Sequence, residues 1–83
     1  MNKETLPPFS ALAQSIIVGG LYEHYKGLHY KIIGVARHSE TLEELVVYQA
    51  LYGEGGIWVR PLAMFLENIV INEQSQPRFK LVQ

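Results

Sequence analysis

VARHSETLEELVVYQALYGEGGIWVRPLAMF, residues 35–65, decides how this chain folds. Its middle admits two readings. Thr41 and Glu44 have the spacing of a capping box, which would open a helix over residues 42–50. Val46, Val47, Tyr48 and Tyr52 are instead strand formers, and they lead into Gly53-Glu54-Gly55-Gly56, a hairpin loop. The β reading accounts for more residues, so a strand over 45–52 is predicted. Residues 57–60 then return as its partner. Ile57 and Val59 would share one face of that strand, and Trp58 and Arg60 the other. Pro61 has no N–H to donate, so it ends this strand or lies at a sheet edge.

Upstream, the apolar period is also two. Residues 21–25 and 29–36 read as strands joined across Lys26-Gly27-Leu28, where Gly27 supplies a positive φ. In the second run Tyr30 and Ile32 share one face, and Lys31, Ile33 and Val35 the other. Gly34 marks a bulge or a bend. Downstream, residues 61–65 read as one helical turn and 67–71 as a strand. Pro77-Arg78-Phe79 starts a last strand, with Phe79 packed and Arg78 outside. Before Gly19-Gly20, Ser10 is an N-cap for a short helix over 11–17. That helix is too short to stand alone and must dock on the domain. Residues 1–8 read as a loose arm.

Five or six short strands predict a mainly β fold, a small SH3-like barrel whose closure removes exposed edges. Residues 1–18 form the arm and short helix, and 19–83 the barrel domain. At this size only about 60–65% of the unfolded surface is buried, so the core is modest.

Composition narrows the chemistry. The chain has no Cys, and all its acidic residues are Glu. Disulfides, thiolate metal sites and Asp-based cation loops are therefore excluded. Net charge is −1, with 7 basic against 8 acidic residues, which argues against nucleic acid as partner. No stretch is long and apolar enough for a membrane span. The lack of Cys and of a signal-peptide pattern predicts a cytoplasmic protein. His24, His29 and His38 match no common zinc spacing, so neither a metal nor a cofactor is expected.

The blocks GLYEHYKG (20–27), GVARHSETLEELVVYQALYG (34–53), WVRPLAMFLE (58–67) and PRF (77–79) occur in order. In them the chain resembles the bacterial domain of unknown function 1653 family, over about residues 19–79. The resemblance implies a small SH3-like β-barrel and favours the strand over 45–52. It implies no activity. Residues before Gly19 lie outside it.

Two clusters remain as candidate sites. Arg37-His38-Ser39-Glu40 could clamp an anion through Arg37 and move protons through His38 and Glu40. It could equally be a solvated turn, with Ser39 and Thr41 bonding the backbone and Arg37 paired to Glu40. Tyr48, Tyr52 and Trp58 could line a peptide groove, or fill the barrel core. Arg60 could pair with Glu67 or Glu44, or stack on Trp58 or Tyr48.

The favoured reading is a non-catalytic binding module with Arg37, His38, Glu40, Tyr48, Trp58 and Arg60 as its contact face. Its partner would be a protein or a small anionic ligand. One alternative is a small-anion enzyme using His38 and Glu40 with Arg37 and Arg60. Another is an assembly protein, pairing through an edge strand or the apolar residues 11–18. The chain would be a monomer or a homodimer.

Overall fold

A computed structural model describes residues 6–83. The expectation for residues 1–5 lies outside the described residues. The protein is mainly β. In chain order it has α1 (Ala11–Gln14), β1 (Leu21–His24), β2 (His29–Arg37), β3 (Glu44–Ala50), β4 (Ile57–Pro61), α2 (Leu62–Phe65), β5 (Asn68–Ile71), β6 (Gln74–Pro77) and β7 (Phe79–Leu81). Five strands form an antiparallel sheet in the order β4-β3-β2-β1-β7, and β5 and β6 form a separate hairpin.

The strand reading of the central stretch holds. Val46, Tyr48 and Ala50 alternate inward along β3 and are buried. The Gly-rich loop follows, with Gly53 and Gly55 at positive φ. Register differs from the simplest hairpin. Tyr48 faces Trp58, and the loop is closed by Ala50 N–H donating to Gly56 O at 2.9 Å. Around Gly34 the register of β2 shifts, and the extra residue is Ile33. The bulge turns Val35 to face Val46 and pack on the core, correcting its expected place beside Ile33.

Among the described residues no hydrogen-bonded barrel is found, so the expected closure is not seen: β4 and β7 both remain edges. The sheet curls instead. In a flat sheet β3 and β7 would stand about 14 Å apart. Yet the Tyr48 and Phe79 ring centres are 5.5 Å apart. Helix α2 fills the gap between the edges. Its Phe65 is fully buried, stacks on Phe79 at 4.2 Å, and meets Tyr22 and Tyr48 at 5.5 Å each. Pro61 ends β4 and turns the chain directly into this helix, so the edge is plugged by side chains.

Helix α1 is one turn rather than two. Ser10 caps it, accepting from the Ala13 N–H at 3.1 Å, and Ser15 already closes it. Ala13 and Ile16 carry the docking face into the core. Residues 6–8 are not a loose arm, because Pro7 O accepts a bond from the Arg37 guanidinium.

Candidate functional site

The open seam between β4 and β7 is where polar and aromatic groups converge. Tyr48 and Trp58 are cross-strand partners and point to the same side of the sheet. Tyr48 is 4% exposed and Trp58 is 58% exposed. The difference comes from position: β4 is an edge, and no strand beyond it covers the indole. The Trp58 ring lies beside the loop, its Nε1 3.6 Å from where a Cβ on Gly56 would stand.

Arg60 follows two residues on, on the same side. Its Nε donates to Tyr48 Oη at 3.2 Å, and its guanidinium lies 5.6 Å from the Phe79 ring centre. This satisfies the buried Tyr48 hydroxyl and fixes the planar fork. The two terminal nitrogens have no side-chain partner among the described residues. The ion pairs expected for Arg60 do not form: Glu67 pairs with Arg78, and Glu44 binds Ser10.

Two further tyrosines extend the site. Tyr30 and Tyr52 share a 2.5 Å hydroxyl–hydroxyl bond, and the Tyr30 ring stands edge-on to Tyr48 at 5.2 Å. Burial, then the Tyr52 hydrogen bond, push the Tyr30 phenol up to about 12. Two hydroxyls sharing one bond leave one O–H to donate elsewhere, and Tyr52 is partly exposed. On the other flank His24 packs edge-on against Phe79 at 4.9 Å. Its pKa is lowered by burial first, then by the charges of Arg60, Arg78 and Lys26. Of the basic residues around it, Arg78 is paired with Glu67 and Lys80 with Glu23. A cleft of about 100 Å³ lies alongside, bounded by His24, Tyr25, Gln76 and Lys80.

The other predicted cluster lies elsewhere. Arg37 faces Glu44 across β2 and β3. It reaches the N-terminal arm, not Glu40. Its Nη2 donates to Pro7 O at 2.7 Å, and its guanidinium stacks 4.0 Å from the Phe9 ring centre. His38 builds the turn: its Nδ1 accepts from the backbone N–H of Glu40 at 3.1 Å and of Thr41 at 3.4 Å. Thr41 Oγ1 accepts from the Glu43 N–H, as the turn reading anticipated. The bond between His38 and Glu40 runs through the Glu40 backbone, so their side chains do not form an acid–base pair.

Of the six candidate residues, the structure thus unites Tyr48, Trp58 and Arg60 at the seam. Arg37, His38 and Glu40 stand apart at the end of β2. Sequence reasoning grouped Tyr52 with Tyr48 and Trp58, but missed Tyr30 and His24 as neighbours of Arg60. The period of two places Tyr30 on the inner face, but only the curl brings β7 and β1 toward β4. Among the described residues no group of His and Glu could hold a metal ion, and no helix is long and apolar enough to cross a membrane.

Comparison with known proteins agrees with this architecture. A crystal structure of a DUF1653 protein from Bordetella bronchiseptica is similar at TM-score 0.75 and 40% identity, covering 84% of this chain and 91% of that one. A search of the curated proteins found no match. The family model described as "Protein of unknown function (DUF1653)" matches residues 20–81, which include β1–β7 and the whole seam. The chain belongs to the DUF1653 family.

Proposed function

We propose that the protein is a non-catalytic binding module whose contact face runs along the seam from Tyr52 and Trp58 to Arg60. One observation carries the reading: Trp58 shares a side with the aromatic core yet is 58% exposed, next to a guanidinium held by Tyr48. An exposed Trp beside an oriented Arg is the combination that dominates interface energetics. On this reading the curled sheet is an SH3-like barrel left open at one seam, where surface aromatics line a groove. The ligand is a protein segment presenting a carboxylate or phosphate next to an apolar residue. The acid would meet the two terminal nitrogens of Arg60, and the apolar part would lie on Trp58. Two clefts among the described residues are about 100 and 250 Å³, smaller than typical small-molecule sites. That favours surface contact over an enclosed substrate.

The test is photo-crosslinking in cell extract from residue 56, where a side chain would stand beside the Trp58 indole, repeated on Trp58→Ala and Arg60→Ala. Both variants should stay folded by circular dichroism and lose the crosslinked species. Retention of the same species by both variants overturns the placement.

A second reading, self-association, is favoured by the outer face of the same sheet. Ile57, Val59 and Ile33 are 62%, 56% and 44% exposed there, beside the free edge of β4. Light scattering showing a monomer at high protein concentration removes it.

A further inference from the structure

We propose that Arg37 and Glu44 form a peptide-docking clamp, filled in cis by the chain's own N-terminal arm and able to take a partner segment of the same chemistry. That chemistry is a proline-led extended stretch, an aromatic residue, then Ser or Thr.

The arm is held as a bound peptide would be. Arg37 donates from Nη2 to Pro7 O at 2.7 Å and stacks its guanidinium 4.0 Å from the Phe9 ring centre. Glu44 accepts from the Ser10 backbone N–H at 2.7 Å and from Ser10 Oγ at 2.6 Å. Four contacts read four features of Pro7-Pro8-Phe9-Ser10: a carbonyl, a ring, a hydroxyl and an amide N–H. Arg37 and Glu44 are cross-strand neighbours, so the sheet sets their spacing. The prolines pre-set the extended form of the ligand, which lowers the entropy lost on docking.

Two observations separate the clamp from its occupant. Both clamp residues lie within the family match at 20–81, and the arm lies before it. The docked Pro7, Pro8 and Ser10 are exposed, so the arm lies along the domain surface, with Phe9 alone half-buried against the core cluster. Beside Glu44 lies a groove of about 250 Å³, with Ser10 and Leu12 of the N-terminal segment on one side and Glu43, Leu62 and Ala63 of the domain on the other. The clamp uses none of the seam residues, so it stands or falls apart from the function proposed above.

A tethered arm competes at high effective concentration and masks the clamp. The experiment uses the full chain and a fluorescent synthetic peptide of residues 6–14. The variant Phe9→Ala/Ser10→Ala, which weakens the cis arm, should bind the peptide at least about tenfold more tightly than wild type. Adding Arg37→Ala or Glu44→Gln should return binding to the wild-type level or below. Equal binding by wild type and arm variant overturns the proposal, as does binding that survives both clamp substitutions. If the double variant does not fold, Ser10→Ala alone takes its place. Wild-type dimers that vanish in Phe9→Ala would put a second copy's arm in the clamp and overturn the partner assignment.

Discussion

Arg60 and Phe79 stand on opposite edges of one five-stranded sheet, yet the Arg60 guanidinium lies 5.6 Å from the Phe79 ring centre. Four strand spacings would separate them by about 19 Å if the sheet were flat. The contact bridges the seam that hydrogen bonds leave open. It also aims the Arg60 fork, because Tyr48 holds its Nε from below.

Arg60→Ala should cost about 1–2 kcal/mol, from one hydrogen bond and a partly exposed cation–π contact. Phe79→Ala should cost about 3–5 kcal/mol, because Phe79 touches rings from β1, β2, β3 and α2. Urea denaturation measures both. Equal losses would mean that Arg60 is as much a core residue as Phe79.

Trp58→Ala should change stability by no more than about 1 kcal/mol, since most of the indole is already in water. A loss comparable to that of Phe79→Ala would show that the indole is packed in solution and would remove it from the contact face.

Tyr30 is an acid whose pKa is higher folded than unfolded, at about 12 against 10.0. Its contribution is complete below the unfolded value and is lost as pH rises from about 10 through about 12. Tyr52→Phe removes the hydroxyl bond but leaves the burial. Ultraviolet titration should then place Tyr30 lower, though still above its ordinary value. An unchanged titration would mean that the Tyr52 bond has no part in the shift.

Glu44 shifts in the opposite sense. Hydrogen bonds from the Ser10 hydroxyl and then its backbone N–H lower its pKa from 4.5. Its contribution to arm docking is present above 4.5 and is lost as pH falls through the lower folded value. Nuclear magnetic resonance should show the Ser10 amide moving in that acid window, and Glu44→Gln should abolish the movement. A Ser10 amide that moves identically in Glu44→Gln would assign the transition to another group.

Two glycines should respond differently to alanine. A Cβ on Gly20 would stand 2.8 Å from Ile17 O and 3.1 Å from Leu81 Cδ1. A backbone oxygen has little room to yield, so Gly20→Ala should cost about 1–3 kcal/mol. Gly34 has open space around it and is not among the positive-φ residues. Gly34→Ala should be neutral or stabilise by up to about 1 kcal/mol. Thermal melts of both variants test the contrast.

Much of the secondary structure was legible because alternation and turn chemistry are local. Val46, Val47 and Tyr48 read as strand formers leading into a glycine loop, though which of them face inward was not assigned, and Gly27 and Gly53 marked turns by their conformational freedom. The bulge was legible at Gly34, but its consequence for Val35 was not. A register shift reverses faces only relative to a partner strand, and the partner's register lies outside the local pattern. β6 was missed because Gln74–Pro77 is polar and fully exposed, so it carries no apolar alternation.

The sequence by itself determined a mainly β chain with a hairpin at its centre, one family's blocks in order, and a short list of polar and aromatic candidates. Those features follow from side-chain period, glycine and proline geometry, and composition. Only the tertiary structure divided that list. Curl of the sheet gathered Tyr48, Trp58 and Arg60 with Tyr30, Tyr52 and His24, while Arg37 turned to the N-terminal arm. The reason is physical: exposure of Trp58 depends on β4 having no outer neighbour, and the setting of Arg60 depends on a ring four strands away. Neither is a property of residues adjacent in the chain.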